Sequence, residues 1–177
     1  MIITISGTPG SGKSTVAKII ARKLKFEHYS TGDFMRQLAE ENKMDVLEYS
    51  KLAEKDRSID EELDQRQINL GMEKDDFVID GRLSWHFIPK AIKIFIDANF
   101  DKRGERIFHD HIRKEHNVTL ETTKKKLKER EQSEIKRYKK YYNINPYDKK
   151  NFDLVADSTT KDQEEVAAEV IEFVKKH

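Results

Sequence analysis

Near its start the chain reads Gly7-Thr8-Pro9-Gly10-Ser11-Gly12-Lys13-Ser14, with Thr15 directly after it. This stretch fits the phosphate-binding pattern G-x-x-x-x-G-K-[ST]. The β-branched run at residues 2–6 predicts a buried strand before it, and apolar residues at helical spacing over residues 16–24 predict a helix behind it. A strand, a glycine turn and a helix in this order predict a loop whose backbone N–H groups surround a phosphate.

The loop also predicts a donor nucleotide and a metal ion. The residues from Gly7 to Thr15 are expected to bind the phosphates of a nucleotide. Lys13 is expected to reach the β- and γ-phosphates, and the Ser14 hydroxyl to bind Mg²⁺. The alternative is a glycine turn that only caps a helix, and the complete motif between a strand and a helix disfavours it.

The composition favours a small soluble protein. The chain has 177 residues, enough for one domain with its own core, and 38% of them are charged with a net charge of only +1. It has no cysteine, which excludes disulfides and thiolate sites. No apolar run approaches the ~20 residues of a membrane span, and no basic segment indicates a signal peptide. We expect one cytoplasmic domain, residues 1–177, that is monomeric and binds neither nucleic acid nor a membrane.

Strands and helices alternate along the rest of the chain. Further strands are predicted at residues 26–30, 76–80, 92–97 and 152–156. Helices are predicted at residues 44–55, 58–71 and roughly 101–142, and from Asp162 onward. Thr31 or Asp33 is expected to cap one more helix, Gly71 to end the helix before the third strand, and Asn145-Pro146 to end the long charged region. This alternation predicts an α/β fold of three layers, αβα, around a five-stranded parallel sheet.

Ligands of a parallel α/β sheet bind beyond the carboxyl ends of its strands. This rule brings together the phosphate loop, residues 31–36 after the second strand and Asp80-Gly81-Arg82 after the third. Asp80 is expected to hold Mg²⁺ or its waters, with a turn aspartate as the alternative. Arg36 and Arg82 are expected to stabilise a transferred phosphoryl group, with ordinary surface ion pairs as the alternative.

The charged segment at residues 101–142 is the most basic part of the chain. It holds 14 lysines and arginines against 8 acidic residues, a net charge of +6. Arg130 and Arg137 are seven residues apart and therefore lie on one face of a predicted helix. This pattern predicts a lid that closes over the phosphates and excludes water, with a solvated helix face as the alternative.

With these segments in order, the chain resembles the cytidylate kinases of the short archaeal type, members of the P-loop nucleoside monophosphate kinases. The resemblance runs from residue 2 to about 174 and rests on the phosphate loop, Ser30-Thr31-Gly32-Asp33-Phe34-Met35-Arg36, Asp80-Gly81-Arg82 and the Arg130-x6-Arg137 helix. It implies one domain with a helical acceptor-binding section at about residues 31–75 and a lid at about 108–137. It also implies transfer of the γ-phosphoryl group of ATP to CMP or dCMP with Mg²⁺.

The resemblance implies roles for single residues as well. It implies that the residues from Gly7 to Thr15 bind ATP and that the catalytic residues are Lys13, Arg82, Arg130 and Arg137. Its acceptor-binding residues are Thr31, Arg36, Asp60, Asp64, Arg66, Asp80, Arg82, Glu134 and Arg137, and its metal ligands are Ser14 and Asp80. Two departures from the bacterial pattern concern the acceptor: Leu83 stands where an aspartate follows Asp-Gly-Arg, and the arginine that reads the cytosine ring has no clear counterpart.

Two other functions fit parts of the sequence. One is a P-loop kinase for another small acceptor, adenylate-kinase-like or shikimate-kinase-like, although the Gly-Phe-Pro-Arg segment typical of adenylate kinases is absent. The other is an RNA-associated ATPase that holds RNA with the basic segment at residues 101–142.

Overall fold

Five parallel strands form the centre of the molecule, in the order β2-β3-β1-β4-β5. The structure is a computed structural model that describes residues 1–110 and 119–177, apart from the side chain of Leu47. The strands are β1 Ile2–Gly7, β2 Glu27–Ser30, β3 Phe77–Asp80, β4 Ile92–Asp97 and β5 Leu154–Asp157. The predicted five-stranded parallel sheet is therefore confirmed.

Helices cover both faces of this sheet, as predicted for a three-layer αβα fold. They are α1 Lys13–Leu24, α2 Thr31–Glu41, α3 Val46–Ala53, α4 Arg57–Glu73, α5 Ser84–Phe87, α6 Phe100–Phe108, α7 Leu120–Tyr142 and α8 Gln163–Val174, with a 3₁₀ turn at Lys149–Asn151. None of the helices in the described residues combines the length and the apolar character that a membrane span needs.

The two faces of the sheet carry separate apolar clusters because successive strand residues point to opposite sides. On one face, Ile3 and Ile5 of β1 pack with residues of α1 and α8 such as Ile20 and Val170. On the other face, Ile2, Phe77 and Ile79 pack with residues of α2 to α4 and of the segment after α5. The second cluster positions the predicted acceptor-binding section, since residues 31–75 contain α2, α3 and α4.

The register of the strands sets the position of the site. Ile5 pairs with Asp80 on one side and with Ile94 on the other, so β3 ends two residues before β1 at the same carboxyl edge of the sheet. Ser30 pairs with Asp80 in the same way, which places the start of α2 beside Asp80. The loops after β1, β2 and β3 therefore converge, as the rule for parallel sheets predicts.

Several predicted element ends differ from the structure. Ser30, not Thr31 or Asp33, caps α2, because its Oγ accepts a hydrogen bond from the Gly32 N–H at 3.1 Å. The charged region contains two helices, α6 and α7, and α7 ends at Tyr142, where Asn143 takes a left-handed conformation before Asn145-Pro146 is reached. Part of the predicted lid, residues 111–118, lies outside the described residues.

Gly71 does not end its helix, contrary to the prediction. It lies inside α4, which continues to Glu73. A Cβ atom on Gly71 would lie 2.9 Å from Cγ2 of Ile88, so the glycine allows α4 to pack closely against the segment after α5. Close packing, rather than a need for a left-handed C-cap, explains the glycine at this position.

We expect Gly71→Val to lower the free energy of unfolding by about 2 kcal/mol, because a branched side chain overpacks the contact with the buried Ile88. Met72→Val is the matched control, since the neighbouring Met72 is 70% exposed and its loss is expected to change stability by less than about 0.5 kcal/mol. Urea unfolding of both variants measures the difference. Equal stabilities would show that α4 moves aside without cost.

Candidate active site

The loop between β1 and α1 has the conformation expected of an anion-binding loop. Gly12 caps α1 with φ of 84°, a left-handed conformation that disfavours any side chain. A Cβ atom on Gly7 would lie 2.2 Å from the carbonyl oxygen of Ile96, so β4 also requires a glycine at that position. The N–H groups of Lys13 and Ser14 precede the first hydrogen bond of α1 and lie at the positive end of its dipole. The loop can therefore surround a phosphate.

Lys13 lies at the start of α1 in a positive environment. Burial and the neighbouring Arg82 charge lower the pKa of its ammonium group to about 7. Without a ligand the charged form of Lys13 is thus unfavourable by comparison with water. A bound polyphosphate would supply the opposite charge that restores it, so the loop and Lys13 select for the same kind of ligand.

Ser14 and Asp80 supply the oxygen atoms that Mg²⁺ prefers. The Ser14 hydroxyl donates to Oδ2 of Asp80 at 2.7 Å. Burial raises the pKa of Asp80, but hydrogen bonds from His28 and Ser14 and the Lys13 charge outweigh it, so the pKa lies below its usual value. The described residues contain no group of three or more His, Cys, Asp or Glu side chains that could hold a metal. The two oxygen donors of Ser14 and Asp80 fit Mg²⁺, which takes few protein ligands and otherwise binds phosphate oxygens and waters.

Arg82 links the phosphate loop to helix α7. Its Nη1 donates to the carbonyl oxygen of Gly7 at 2.8 Å, and its Nε donates to Glu134 at 2.7 Å. Glu134 also accepts from Nε of Arg130 at 2.9 Å and from the Tyr147 hydroxyl. Burial raises the pKa of Glu134, but Arg82 and the other donors lower it to about 2, so the carboxylate stays charged.

A first cavity of about 380 Å³ lies in front of the loop. Eight of the predicted site residues line it: Lys13, Ser14, Thr31, Arg36, Asp80, Arg82, Arg130 and Glu134. Arg36 stands at its rim with a side chain that is 61% exposed and forms an ion pair with Asp33. His28 and Tyr138 line the same cavity, although no sequence pattern indicates them.

A second cavity, of about 230 Å³, continues from the first. The two share Thr31, Gly32, Arg82 and Tyr138 as lining residues. The side chains that line only the second cavity include Asp60, Asp64, Gln67, Arg137 and Tyr142. The structure therefore brings together three predicted residues, Asp60, Asp64 and Arg137, and adds Gln67 and Tyr142, which no motif indicates.

Two carboxylates define the chemistry of the second cavity. The Arg137 guanidinium donates to both carboxylate oxygens of Asp60, while its buried Nε has no hydrogen-bond partner within the described residues. Asp64 accepts a hydrogen bond from the Tyr142 hydroxyl at 2.5 Å. Burial raises the pKa of Asp64 to about 6 despite this hydrogen bond. Such a strongly raised pKa in a cavity is typical of a functional carboxyl group.

Arg66 is the one predicted acceptor-binding residue that the structure places apart from both cavities. Its guanidinium donates to Glu41 at 2.6 Å and to Glu62 at 3.2 Å. It follows Asp64 by only two positions on α4, and residues two apart on a helix point in different directions. The Arg66 side chain therefore lies away from the Asp64 carboxylate, although the two residues are close in sequence.

Two arginines of α6 support the phosphate loop from behind, and the sequence did not indicate them. Arg103 donates to the carbonyl oxygen of Pro9 at 3.4 Å and also bonds Glu131 of α7. Arg106 donates to the Ser158 carbonyl at 2.5 Å, and the Ser158 hydroxyl in turn donates to the Ser11 carbonyl at 2.9 Å. These contacts join segments that are distant along the chain, which no local pattern can show.

A phosphate loop on this parallel sheet, facing a cavity lined by arginines, defines the class of P-loop kinases. Solved structures with the same fold include an uncharacterized protein from Eubacterium ventriosum, with a TM-score of 0.77, 20% identity and coverage of 100% of this chain and 99% of that one. They also include shikimate kinase from Bacteroides thetaiotaomicron, with a TM-score of 0.69, 14% identity and coverage of 99% and 98%. The fold class is therefore confirmed.

The family follows from sequence comparison. The family model of the cytidylate kinase-like family matches residues 2–160. Cytidylate kinase of Methanocaldococcus jannaschii is 42% identical over 171 residues, which cover 94% of this chain and 93% of the relative. Cytidylate kinase of Methanothermobacter thermautotrophicus is 38% identical over 164 residues, covering 93% and 99%. The chain belongs to the cytidylate kinase-like family, and it is a phosphotransferase.

The raised pKa of Asp64 predicts a pH-dependent stability. The pKa is about 6 in the folded chain against 3.8 ordinarily, so the folded state holds the proton more tightly and stability falls as the pH rises from about 4 to about 6. Asp64→Asn keeps an acceptor for Tyr142 and removes this loss. Because Asp64 is only half-buried, we expect the variant to be more stable than wild type by about 1 kcal/mol at pH 8 and nearly equal at pH 4.

Urea unfolding across this pH range measures the difference between Asp64→Asn and wild type. Glu61→Gln is the control for loss of one carboxylate on the same helix, because Glu61 is an exposed partner of Arg57. A stability difference that stays constant from pH 4 to pH 8 would contradict the raised pKa.

Proposed function

We propose that the protein transfers the γ-phosphoryl group of ATP to CMP or dCMP, giving CDP or dCDP and ADP in pyrimidine nucleotide metabolism. One observation carries the proposal: the phosphate loop opens into an arginine-lined cavity, which continues into a second cavity lined by two aspartates. This order matches a donor triphosphate, an acceptor phosphate and an acceptor base. The relatives named cytidylate kinase support the same assignment.

The donor half of the cleft is the loop from Gly7 to Thr15 with Lys13. Its N–H groups and the Lys13 ammonium bind the triphosphate, and the lysine stays with the γ-phosphoryl group as it moves. Ser14 and Asp80 are the proposed protein ligands of Mg²⁺, directly or through water. When bound, Mg²⁺ neutralises charge on the β- and γ-phosphates.

The acceptor phosphate binds between Arg36 and Arg82 in the first cavity. Its oxygen attacks the γ-phosphorus directly, so the protein needs no nucleophile of its own and acts by positioning and charge stabilisation. Arg82 and Arg130 face the cavity from two sides and stabilise the charge that spreads over the transferred group. Arg137 reaches the acceptor from the second cavity, where it pairs with Asp60.

The second cavity is proposed to hold the cytosine ring. Cytosine presents an exocyclic amino group, a hydrogen-bond donor, where uracil presents a carbonyl oxygen. A carboxylate such as Asp64 accepts from that amino group and repels the carbonyl oxygen of uracil. Burial disfavours the charged carboxyl group of Asp64, and an interaction with the base would explain why this residue is present. Glu134, between Arg82 and Tyr147, is the proposed neighbour of the sugar.

A monomer in the cytoplasm that binds only small molecules, as the sequence predicts, is part of the proposal. Residues 31–75 and about 108–137 are the proposed acceptor-binding section and lid. The cleft offers no role to Arg66.

An ADP-release assay with CMP, dCMP, UMP, AMP, GMP and shikimate tests the proposal. We expect CMP or dCMP to be preferred over UMP by about 10²-fold or more. A site that accepts a hydrogen bond from an amino group of the substrate rejects an analogue that lacks this group. In Asp64→Asn this preference is expected to fall by at least about 10-fold. An amide can accept a hydrogen bond from cytosine or donate one to uracil, whereas a carboxylate can only accept.

A clear preference for AMP or shikimate would contradict the proposal and support another small-acceptor kinase. ATP hydrolysis that is independent of every acceptor, together with salt-sensitive RNA binding, would support the RNA-associated ATPase instead.

Arg130→Ala tests the role of the cavity arginines. We expect kcat to fall by about 10²-fold or more, because removing one preorganised donor to the transition state typically costs that much. Its side chain is half exposed, so folding should be little affected. Lys136→Ala removes the same charge from an exposed position on the same helix and is expected to keep nearly normal kcat. Equal effects of the two variants would reduce the role of Arg130 to general electrostatics.

A further inference from the structure

His28 is a polar residue of the cleft that has no role in the proposed reaction as described above. It lies on β2, and its Nε2 is 2.8 Å from Oδ1 of Asp80. The His28 side chain is 17% exposed and that of Asp80 is 5% exposed, so this hydrogen bond is largely shielded from water. His28 also lines the first cavity, beside the phosphate loop.

The sheet brings these two side chains together. Ser30 pairs with Asp80 and His28 with Val78, and residues two apart on a strand share one face. His28 and Asp80 are therefore diagonal neighbours on adjacent parallel strands. A side chain as long as histidine can span that distance, whereas a short polar residue cannot.

The two oxygens of Asp80 have different partners from different elements. Oδ2 accepts from Ser14 at the start of α1, and Oδ1 contacts His28 on β2. With only the Ser14 contact, the carboxylate could rotate about its terminal torsion, which has a broad energy minimum. The second contact fixes the plane of the carboxylate and leaves Oδ2 directed at Ser14.

We propose that His28 is a positioning residue that orients the Asp80 carboxylate for Mg²⁺ bound with the donor nucleotide. The inference rests on the proposed function in one respect, the assignment of Ser14 and Asp80 to the metal. Residues that hydrogen-bond a metal-binding carboxylate typically affect metal affinity by about 10–100-fold when removed. His28 acts through Asp80 and makes no contact of its own with the metal in this proposal.

A purely structural role makes a different prediction. If His28 only satisfied a buried carboxylate, its loss would lower stability and weaken nucleotide binding equally with and without metal. If it orients Asp80 for the metal, its loss reduces chiefly the part of the nucleotide affinity that Mg²⁺ adds. The two roles are therefore separated by comparing affinities in Mg²⁺ and in EDTA.

The experiment titrates β,γ-imido-ATP into the full chain by calorimetry, in Mg²⁺ and in EDTA. For His28→Phe, which keeps a ring but has no donor, we expect the Mg²⁺-dependent gain in affinity to fall by about 10-fold or more. The affinity in EDTA is expected to stay within about 2-fold of wild type. His28→Gln is expected to retain most of the gain, because its terminal amide nitrogen reaches a position similar to that of Nε2. His177→Phe, an exposed site at the end of the chain, is the control.

An unchanged Mg²⁺-dependent gain in His28→Phe, or an equal loss in Mg²⁺ and EDTA, overturns the proposal. If His28→Phe does not fold, His28→Asn replaces it: the variant is polar but too short to reach Oδ1, so the same loss is expected. Absence of any Mg²⁺ effect in wild type overturns the metal assignment and the inference together. Failure of CMP as an acceptor, with the Mg²⁺ effect intact, overturns the proposed function alone.

Discussion

The hydrogen bonds that Arg82 makes to the phosphate loop and to α7 are the contacts on which the cleft depends. Arg82 donates one hydrogen bond to the carbonyl oxygen of Gly7 in the phosphate loop and two to the carboxylate of Glu134 on α7. The guanidinium therefore lies between the phosphate loop and α7, and it lines both cavities. Arg82 can do this because Asp80 pairs with Ile5, so Arg82 follows β3 by as many residues as Gly7 follows Ile5. Sheet register thus fixes the geometry of the charge cluster.

Carboxylates balance the cationic groups of the cleft in the absence of ligand. Arg36 pairs with Asp33, Arg82 and Arg130 pair with Glu134, and Arg137 pairs with Asp60. Unpaired guanidinium groups at this density would repel one another and lower stability. A phosphate dianion presents pairs of oxygen atoms that a guanidinium can bind in the same bidentate way as a carboxylate, so it can take over these partners. The pairs therefore keep the arginines in position without excluding the proposed acceptor.

The sequence predicted the fold well and the site in part. Periodicity and the phosphate-loop motif identified all five strands, and the rule for parallel sheets correctly placed Asp80 and Arg82 at the phosphate loop. His28 and Tyr147 were missed because each acts across distant segments: His28 reaches Asp80 from the next strand, and Tyr147 reaches Glu134 from beyond the end of α7. Neither lies in a recognisable motif.

Arg66 and Gly71 show that spacing along the chain does not determine what a residue contacts in the folded protein. Arg66 was grouped with Asp64 because they are close in sequence, although the helix turns Arg66 toward Glu41. Gly71 was taken as a helix end, although it serves close packing against Ile88.

Asp64 is a residue that the fold by itself does not explain. Its burial is unfavourable for folding, so neither propensity nor core packing accounts for it. A residue that the fold alone disfavours is best explained by a ligand, and the amino group of the proposed cytosine acceptor would meet that requirement.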